Sequence, residues 1–549
     1  MTNQRAAIVG DQIFFMNGNY NFIGDATRAP KPNLFTLRLN ESFSVTGLLT
    51  DQLYSSDLPP DVPWDSASGA FFYDNTTLYL YAGLASPDEG ATNLLWAYNV
   101  LDSLWREVAV KGGNYQHGSR ETALYASIPG AGLSFFSGGK EGDTPGIIRF
   151  NSSNPTALTW ENDTSFLYSE SKSPGPLRSE GQLVFIPVGE QGVLISIGGY
   201  NVAEKGSEYG DRFPWDDAPM SSVDVYDIAS RQWYTVDTSG NAPHDRGIFS
   251  YWMTPAPDGS SYTITVYGGW SLLAGKSYED IYVLSLPSFT WIKIVDTGNI
   301  ERENMGEGLG RLRHRGLKWR EDSGFVIGGW IKNNAASIND KGNCNSIYSP
   351  IRLLNLTSYA WLSSYDPDNT SPYRVNPQIY NVIGGGPSGS ATATAPSGGW
   401  GSNTALESIF STHSIVPSAP TNLFAQAAVT GDSGPVSNSS SPAETSSQSS
   451  SSTPGGVIAG AVVGAVAGTA LIAGGVAFFC LRKYKLQKQQ QSSAVSLMSK
   501  EGGSPALGNN QHPRELGNEV MRHELDTSDG QPAELQDTAR RELADSSNV

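Results

Sequence analysis

Residues able to do chemistry are few and scattered. Three histidines, His117, His244 and His314, fall in the aromatic-rich first 410 or so residues, each near the start of an apolar run, and the one thiol there is Cys344. The other cysteine, Cys480, lies in a different compositional context. Thiols so placed exclude a disulfide framework and a multi-thiolate metal site. No G-x-S-x-G, glycine-rich phosphate loop or H-E-x-x-H motif occurs, and the adjacent carboxylates Asp216 and Asp217 say little in a chain with 54 acidic residues. Catalysis has no sequence support, so neither a metal nor a cofactor is expected.

Groups suited to binding are better represented. The stretch YNVAEKGSEYGDRFPWDDAPM sets Tyr200, Tyr209, Phe213 and Trp215 beside Asp216 and Asp217, and Trp270 and Trp330 occupy matching places further along. Aromatic and acidic groups together suit a glycan or protein surface. The competing reading packs this loop on its own strands with its tryptophans buried. Arg5, Arg120, Arg178, Arg246 and Arg315 each precede an apolar run, and a repeat would place them at similar radii. They are candidates for an anion-binding ring for a carboxylate-bearing ligand, or for structural ion pairs and hydrogen bonds between repeats.

A repeat must position these residues. The 60 glycines, 32 prolines and 24 tyrosines, with only 16% charged residues, favour many short strands joined by turns. A turn, a short apolar run and a glycine pair return about every 60 residues: GDQIFFMNG, DNTTLYLYAG, GAGLSFFSGG, EQGVLISIGG, DGSSYTITVYGG and DSGFVIGG. The well-formed pairs are Gly138 and Gly139, Gly198 and Gly199, Gly268 and Gly269, and Gly328 and Gly329, whereas Asn17 and Ala82 replace the first glycine in the first two copies. Two strands later comes a large aromatic able to wedge between neighbouring sheets: Trp105, Trp160, Trp233, Trp291 and Trp361, with Phe43 in the first copy. The strand before each turn is expected to form the outer strand of the preceding sheet. On that reading Ala6–Val9 completes the last sheet, beginning at Gly324, and closes a ring of six, five or seven remaining alternatives. The glycine run Gly384–Gly386 has no following strand with a tryptophan partner and reads as a terminal extension.

The glycine pairs, VDVYD at 223–227 and the spaced tryptophans resemble Kelch repeats over about 380 residues, and the whole layout resembles fungal single-pass Kelch-repeat membrane proteins. The resemblance implies an all-β fold, a six-bladed Kelch-type β-propeller, in a surface or cell-wall-associated protein. It supplies no ligand. Galactose-oxidase-like enzymes are also Kelch propellers, which makes an extracellular oxidoreductase the enzymatic alternative. The two histidines, two tyrosines and cysteine-linked tyrosine that such a copper site resembles are not grouped in this sequence.

Composition divides the chain into a propeller with its extension (1–415), a Ser/Thr/Pro/Gly-rich stalk (416–456), an apolar segment (457–481) and a polar tail (482–549). The 25 uncharged residues from Val457 to Leu481 suffice to span a bilayer core of roughly 30 Å. Arg482, Lys483, Lys485 and Lys488 follow them directly, which places the tail in the cytoplasm and the propeller outside. An outer propeller needs a leader, and because residues 1–10 carry no long apolar run, a leader missing from this sequence is expected. Seven N-glycosylation sequons lie on the proposed outer side. Gly456, Gly460, Gly464 and Gly468 line one helical face on which a second helix could pack. With 54 acidic against 36 basic residues, the chain is a poor nucleic-acid partner. The expected partners are a protein or a cell-wall carbohydrate; an intracellular Kelch scaffold is the alternative should the apolar segment not insert.

Overall fold

The computed structural model describes residues 4–16, 33–45, 52–62, 70–81, 95–112, 123–138, 147–162, 178–201, 216–295, 310–331 and 349–413. All belong to one compact unit, Met1–Val436. The stalk, the segment 457–481 with Gly456, Gly460, Gly464 and Gly468, and the tail lie outside the described residues, as do Arg120, Gly139, Trp215 and the side chain of Trp330. Among the described residues no helix is long and apolar enough to cross a membrane.

Six four-stranded antiparallel sheets follow one another along the chain, the fifth extended by a short parallel strand at Ser239–Gly240. The first strands of the six blades are Arg5–Val9, Ala70–Tyr73, Leu124–Ile128, Gln182–Ile186, Ser250–Pro255 and Arg311–Trp319. Each neighbours the next, and the sixth returns to the first, so the ring closes at six around a central channel. Burial explains the strand sequences. VLISI at Val193–Ile197 is buried throughout because both faces of a blade meet a neighbour, which demands continuous apolar runs instead of polar alternation. Six buried apolar clusters result, one at each blade junction. Ala6 and Ile8 pack towards blade 6 with Phe325 and Ile327, and Ala7 and Val9 pack towards blade 2 with Phe71 and Leu80.

The assignment of strands to blades differs from the sequence expectation by one strand. Arg5–Val9 pairs with Gln12–Met16, and Leu124–Ile128, Gln182–Ile186, Ser250–Pro255 and Arg311–Trp319 likewise pair with the strands that follow them. The strand before each turn is thus the innermost strand of the same blade. A tight turn such as Gly10–Asp11, with Gly10 at φ +62°, leaves its two flanking runs no other arrangement than a hairpin. Ring closure uses a different device. Phe43–Ser44 pairs antiparallel with Ser364–Tyr365, the Val45 N–H donates to the Ser363 carbonyl at 2.9 Å, and the Tyr365 hydroxyl donates to the Leu39 carbonyl at 2.8 Å.

Trp105, Trp160, Trp233, Trp291 and Trp361 stand at one register position on the fourth strands, opposite Tyr98, Phe150, Tyr226, Leu284 and Leu354. In blade 1 that position belongs to Leu53, opposite Leu37. Phe43 instead serves the closure, its ring 5.0 Å from that of Tyr365. The extension after blade 6 contains helix α1 (Pro377–Ile383), capped by the Asn376 side chain, and helix α2 (Thr404–Phe410). Gly384 and Gly385 end α1, so this glycine run belongs to a terminal extension. Leu406 of α2 is buried in the junction of blades 4 and 5.

Candidate functional site

The side chains of the repeat arginines brace their own blades, and their main-chain carbonyls link neighbouring ones. Arg178 is buried and bridges Asp224 at 2.5 Å, and Arg246, fully buried, bridges Asp280 at 2.5 Å with its guanidinium 3.7 Å from the Tyr278 ring centroid. Arg246 also donates to the Gly268 carbonyl of its own blade, while its own carbonyl accepts from Gly199 N–H of blade 4 at 2.9 Å. Arg311 repeats the scheme, donating to the Gly328 carbonyl at 2.7 Å and accepting from Gly269 N–H at 2.9 Å. The pairs Gly198–Gly199 and Gly268–Gly269 are thereby each tied to an arginine of their own blade and of the next. A side chain at the first glycine of a pair has no room: a methyl at Gly138 (φ +69°) would fall 2.1 Å from the Arg178 carbonyl oxygen.

Register corrects the proposed ring of five arginines. Counting from the residue before each glycine pair, Arg178, Arg246 and Arg311 are equivalent, and Arg120 has the same spacing in sequence. Arg5 and Arg315 stand four residues further along, equivalent to Gln182 and Ser250. Arg178 and Arg246 are therefore buried structural groups, and Arg315 belongs to a different feature.

Tyr200, Asp217 and Trp270 come together, also as a structural junction. The Tyr200 hydroxyl donates to the Trp270 carbonyl at 3.1 Å, and Asp217 accepts from Ser271 Oγ at 2.5 Å and from the Leu272 and Leu273 amides. These bonds fix the 271–275 turn of blade 5 to blade 4. Burial, with Glu180 and Asp217 nearby, pushes the Tyr200 phenol well above its ordinary value. Asp216 is exposed and Trp270 half-buried.

Arg5 and Arg315 meet at the channel mouth on the glycine-pair face, where a cavity of about 70 Å³ is walled by Arg5, Glu180, Gln182, Arg313, His314 and Arg315 among others. Arg313 pairs with Glu180 at 3.5 Å. Burial pulls the Arg5 guanidinium down to about 9, and neighbouring Arg315 adds to the effect while Tyr125 opposes it. His314 has both nitrogens engaged, with Ser250 Oγ and with the Arg311 carbonyl at 3.0 Å. Since a carbonyl only accepts, Nε2 carries the proton and Nδ1 accepts from Ser250. Burial and the cations Arg311, Arg352 and Arg315 hold this imidazole neutral, down to about 3. His244 is exposed and stacks on Tyr278. Among the described residues no three metal-ligating side chains converge.

The rim of this mouth is strained. Glu180, Ile248 and Arg313, at one repeat position in blades 4, 5 and 6, adopt φ of +54°, +50° and +57°. The Arg313 amide donates to the Ile248 carbonyl and the Ile248 amide to the Glu180 carbonyl, a relay from blade to blade around the mouth. A β-branched residue at positive φ costs of order 1–3 kcal/mol, which the surrounding bonds must offset. Residue types alone gave no hint of this relay. Aligning the six copies by their glycine pairs would have separated Arg311 from Arg315.

No protein-family model matches the chain. A Kelch repeat-containing protein of Arthroderma benhamiae is 26% identical over 470 residues, covering 72% of this chain and 64% of that protein. The match thus spans less than two thirds of that relative's length. The solved structure titled Structure of YjhT is similar over 66% of this chain and 96% of its own, at 12% identity and a TM-score of 0.41. With six blades closed into a ring and this relative beside it, the chain is a six-bladed β-propeller homologous to a Kelch repeat-containing protein.

Proposed function

We propose that this is a binding protein and not a catalyst, taking an anionic group of a protein or cell-wall carbohydrate at the channel mouth of its glycine-pair face. The apolar segment 457–481 would hold the propeller at the cell surface with the tail in the cytoplasm, and its glycine face would allow self-association. The carrying observation is electrostatic. In a chain of net charge −18, this mouth is walled by three guanidiniums, Arg5, Arg313 and Arg315, against one carboxylate, Glu180. Guanidinium groups fixed on a closed ring are preorganised for a carboxylate or a similar oxyanion, so little ordering is left to oppose binding. Kelch homology supports a protein-binding role of this kind.

An array of acidic and neutral peptides and oligosaccharides, probed with the full-length protein, tests this reading. Retention of acidic members with strong salt sensitivity is expected; retention that ignores charge would refute it. Protease treatment of intact cells carrying terminal tags tests the surface placement, and loss of only the N-terminal tag is the expected result.

A further inference from the structure

The opposite mouth of the channel has a separate chemistry. Three residues along each first strand from the level of Arg5 and Arg315 stand Ile8, Tyr73, Ser127, Phe185, Met253 and Lys318, one from each blade. All six wall a cavity of about 800 Å³ on the face that carries the hairpin turns, a volume within the range of small-molecule sites. Five members of this layer are uncharged, and Lys318 is its one cation. Lys318 is partly buried and forms no hydrogen bond or ion pair within the described residues.

Of the surrounding charges, Arg320, Asp322 and Glu321 have partners of their own, Glu321 accepting from the Tyr373 amide at 3.1 Å. Arg320 is taken up by the Pro367 and Asn369 carbonyls, and Asp322 by Asn355 and Ser323. Asp11, Glu321 and Asp368 lie on the wall, and Tyr73 and Tyr251 supply its phenols, the latter donating to the Leu183 carbonyl. Burial pulls the Lys318 ammonium down to about 8, against an opposing pull from Glu321. Trp319, fixed by its indole N–H to the Tyr365 hydroxyl at 2.9 Å, adds a flat apolar wall.

We propose that this mouth binds a small organic anion, a carboxylate borne on a ring with an apolar face, the carboxylate on the Lys318 amine and the ring within the cavity that Tyr73, Phe185 and Trp319 line. A cation in an otherwise uncharged layer that includes the aromatic rings of Tyr73 and Phe185 satisfies both halves of such a ligand. The site is independent of the glycine-pair mouth, because Arg315 and Tyr125 span the channel between the two.

Calorimetric titration of the full-length protein with 4-hydroxybenzoate and with galacturonic acid, each against its neutral counterpart (4-hydroxybenzamide, galactose), tests the proposal. At least one acid should bind about tenfold or more tightly than its neutral counterpart, and which one does so separates an aromatic from a carbohydrate source. Because binding needs the ammonium and the carboxylate together, affinity should hold between about pH 5 and about pH 8 and fall roughly tenfold per pH unit above that window. Lys318→Met should abolish the preference for acid, and Lys318→Arg should keep it and extend it to higher pH. The wild-type pH profile serves even if a variant fails to fold. Failure of both acids to bind, equal binding of the neutral counterparts, or wild-type affinity in folded Lys318→Met would overturn the proposal.

Discussion

The guanidinium of Arg315, on the first strand of blade 6, lies 4.7 Å from the ring centroid of Tyr125, on the first strand of blade 3, directly across a ring of six. This stack spans the channel and separates a small, guanidinium-lined mouth on the glycine-pair face from a wide one on the hairpin-turn face. It also orients Arg315, whose side chain is one of the three cations proposed to bind a ligand.

The repeat arginines, by contrast, should matter for stability. Arg246→Ala would leave Asp280 without its partner and remove the bond to the Gly268 carbonyl. Breaking a buried pair from one side costs about 3–5 kcal/mol, and urea unfolding should show a loss of that order. A variant of unchanged stability would mean that this arginine is held for some other purpose.

Gly269 adopts φ +102°, and a methyl there would fall 2.7 Å from the Gly247 carbonyl oxygen while its own amide is bonded to Arg311. Gly269→Ala combines a disfavoured backbone conformation with a steric clash, so a loss of at least about 2 kcal/mol is expected in the same assay. Gly275, at φ +58° with nothing within 4 Å of an added methyl, is the control. Gly275→Ala should cost only the backbone contribution, about 1 kcal/mol.

Acid should weaken the fold through His314. Its folded value near 3 lies below the ordinary 6.5, so the unfolded chain takes the proton first. The stability tied to a neutral His314 is complete above pH 6.5 and declines as pH falls towards 3, by up to about 1.4 kcal/mol per pH unit. Unfolding measured between pH 6.5 and about 5, where most carboxylates stay ionised, should show this slope in the wild type, and His314→Gln should flatten it. An unchanged slope in the variant would remove His314 as its source.

The repeat was readable because glycine pairs and tryptophans are local marks that recur with each blade. Strand partnership was less so, since the run preceding each turn can be given to either neighbouring sheet unless the shortness of the turn is weighed. Turns such as Gly10–Asp11 and Asp74–Thr76, where Asp74 accepts from the Thr76 and Thr77 amides, were the available signal for a hairpin. The arginines misled in a related way. Arg5 and Arg315 look like Arg178 and Arg246 in sequence, but four residues of register turn a buried ion pair into a channel wall. Asp217 and Tyr200 were conspicuous for their chemistry and are spent on packing blade 4 against blade 5. The Lys318 layer could be found only by superposing copies, because its six members share a position and no residue type.

The central claim is that the guanidiniums of the glycine-pair mouth bind an anion. Affinity of the full-length protein for the most strongly retained acidic array member should be measured for wild type and Arg315→Met at two salt concentrations. The account predicts that the variant binds about tenfold or more weakly at low salt, depends less on salt, and unfolds within about 2 kcal/mol of wild type. Equal affinity and equal salt dependence in a folded variant would contradict it.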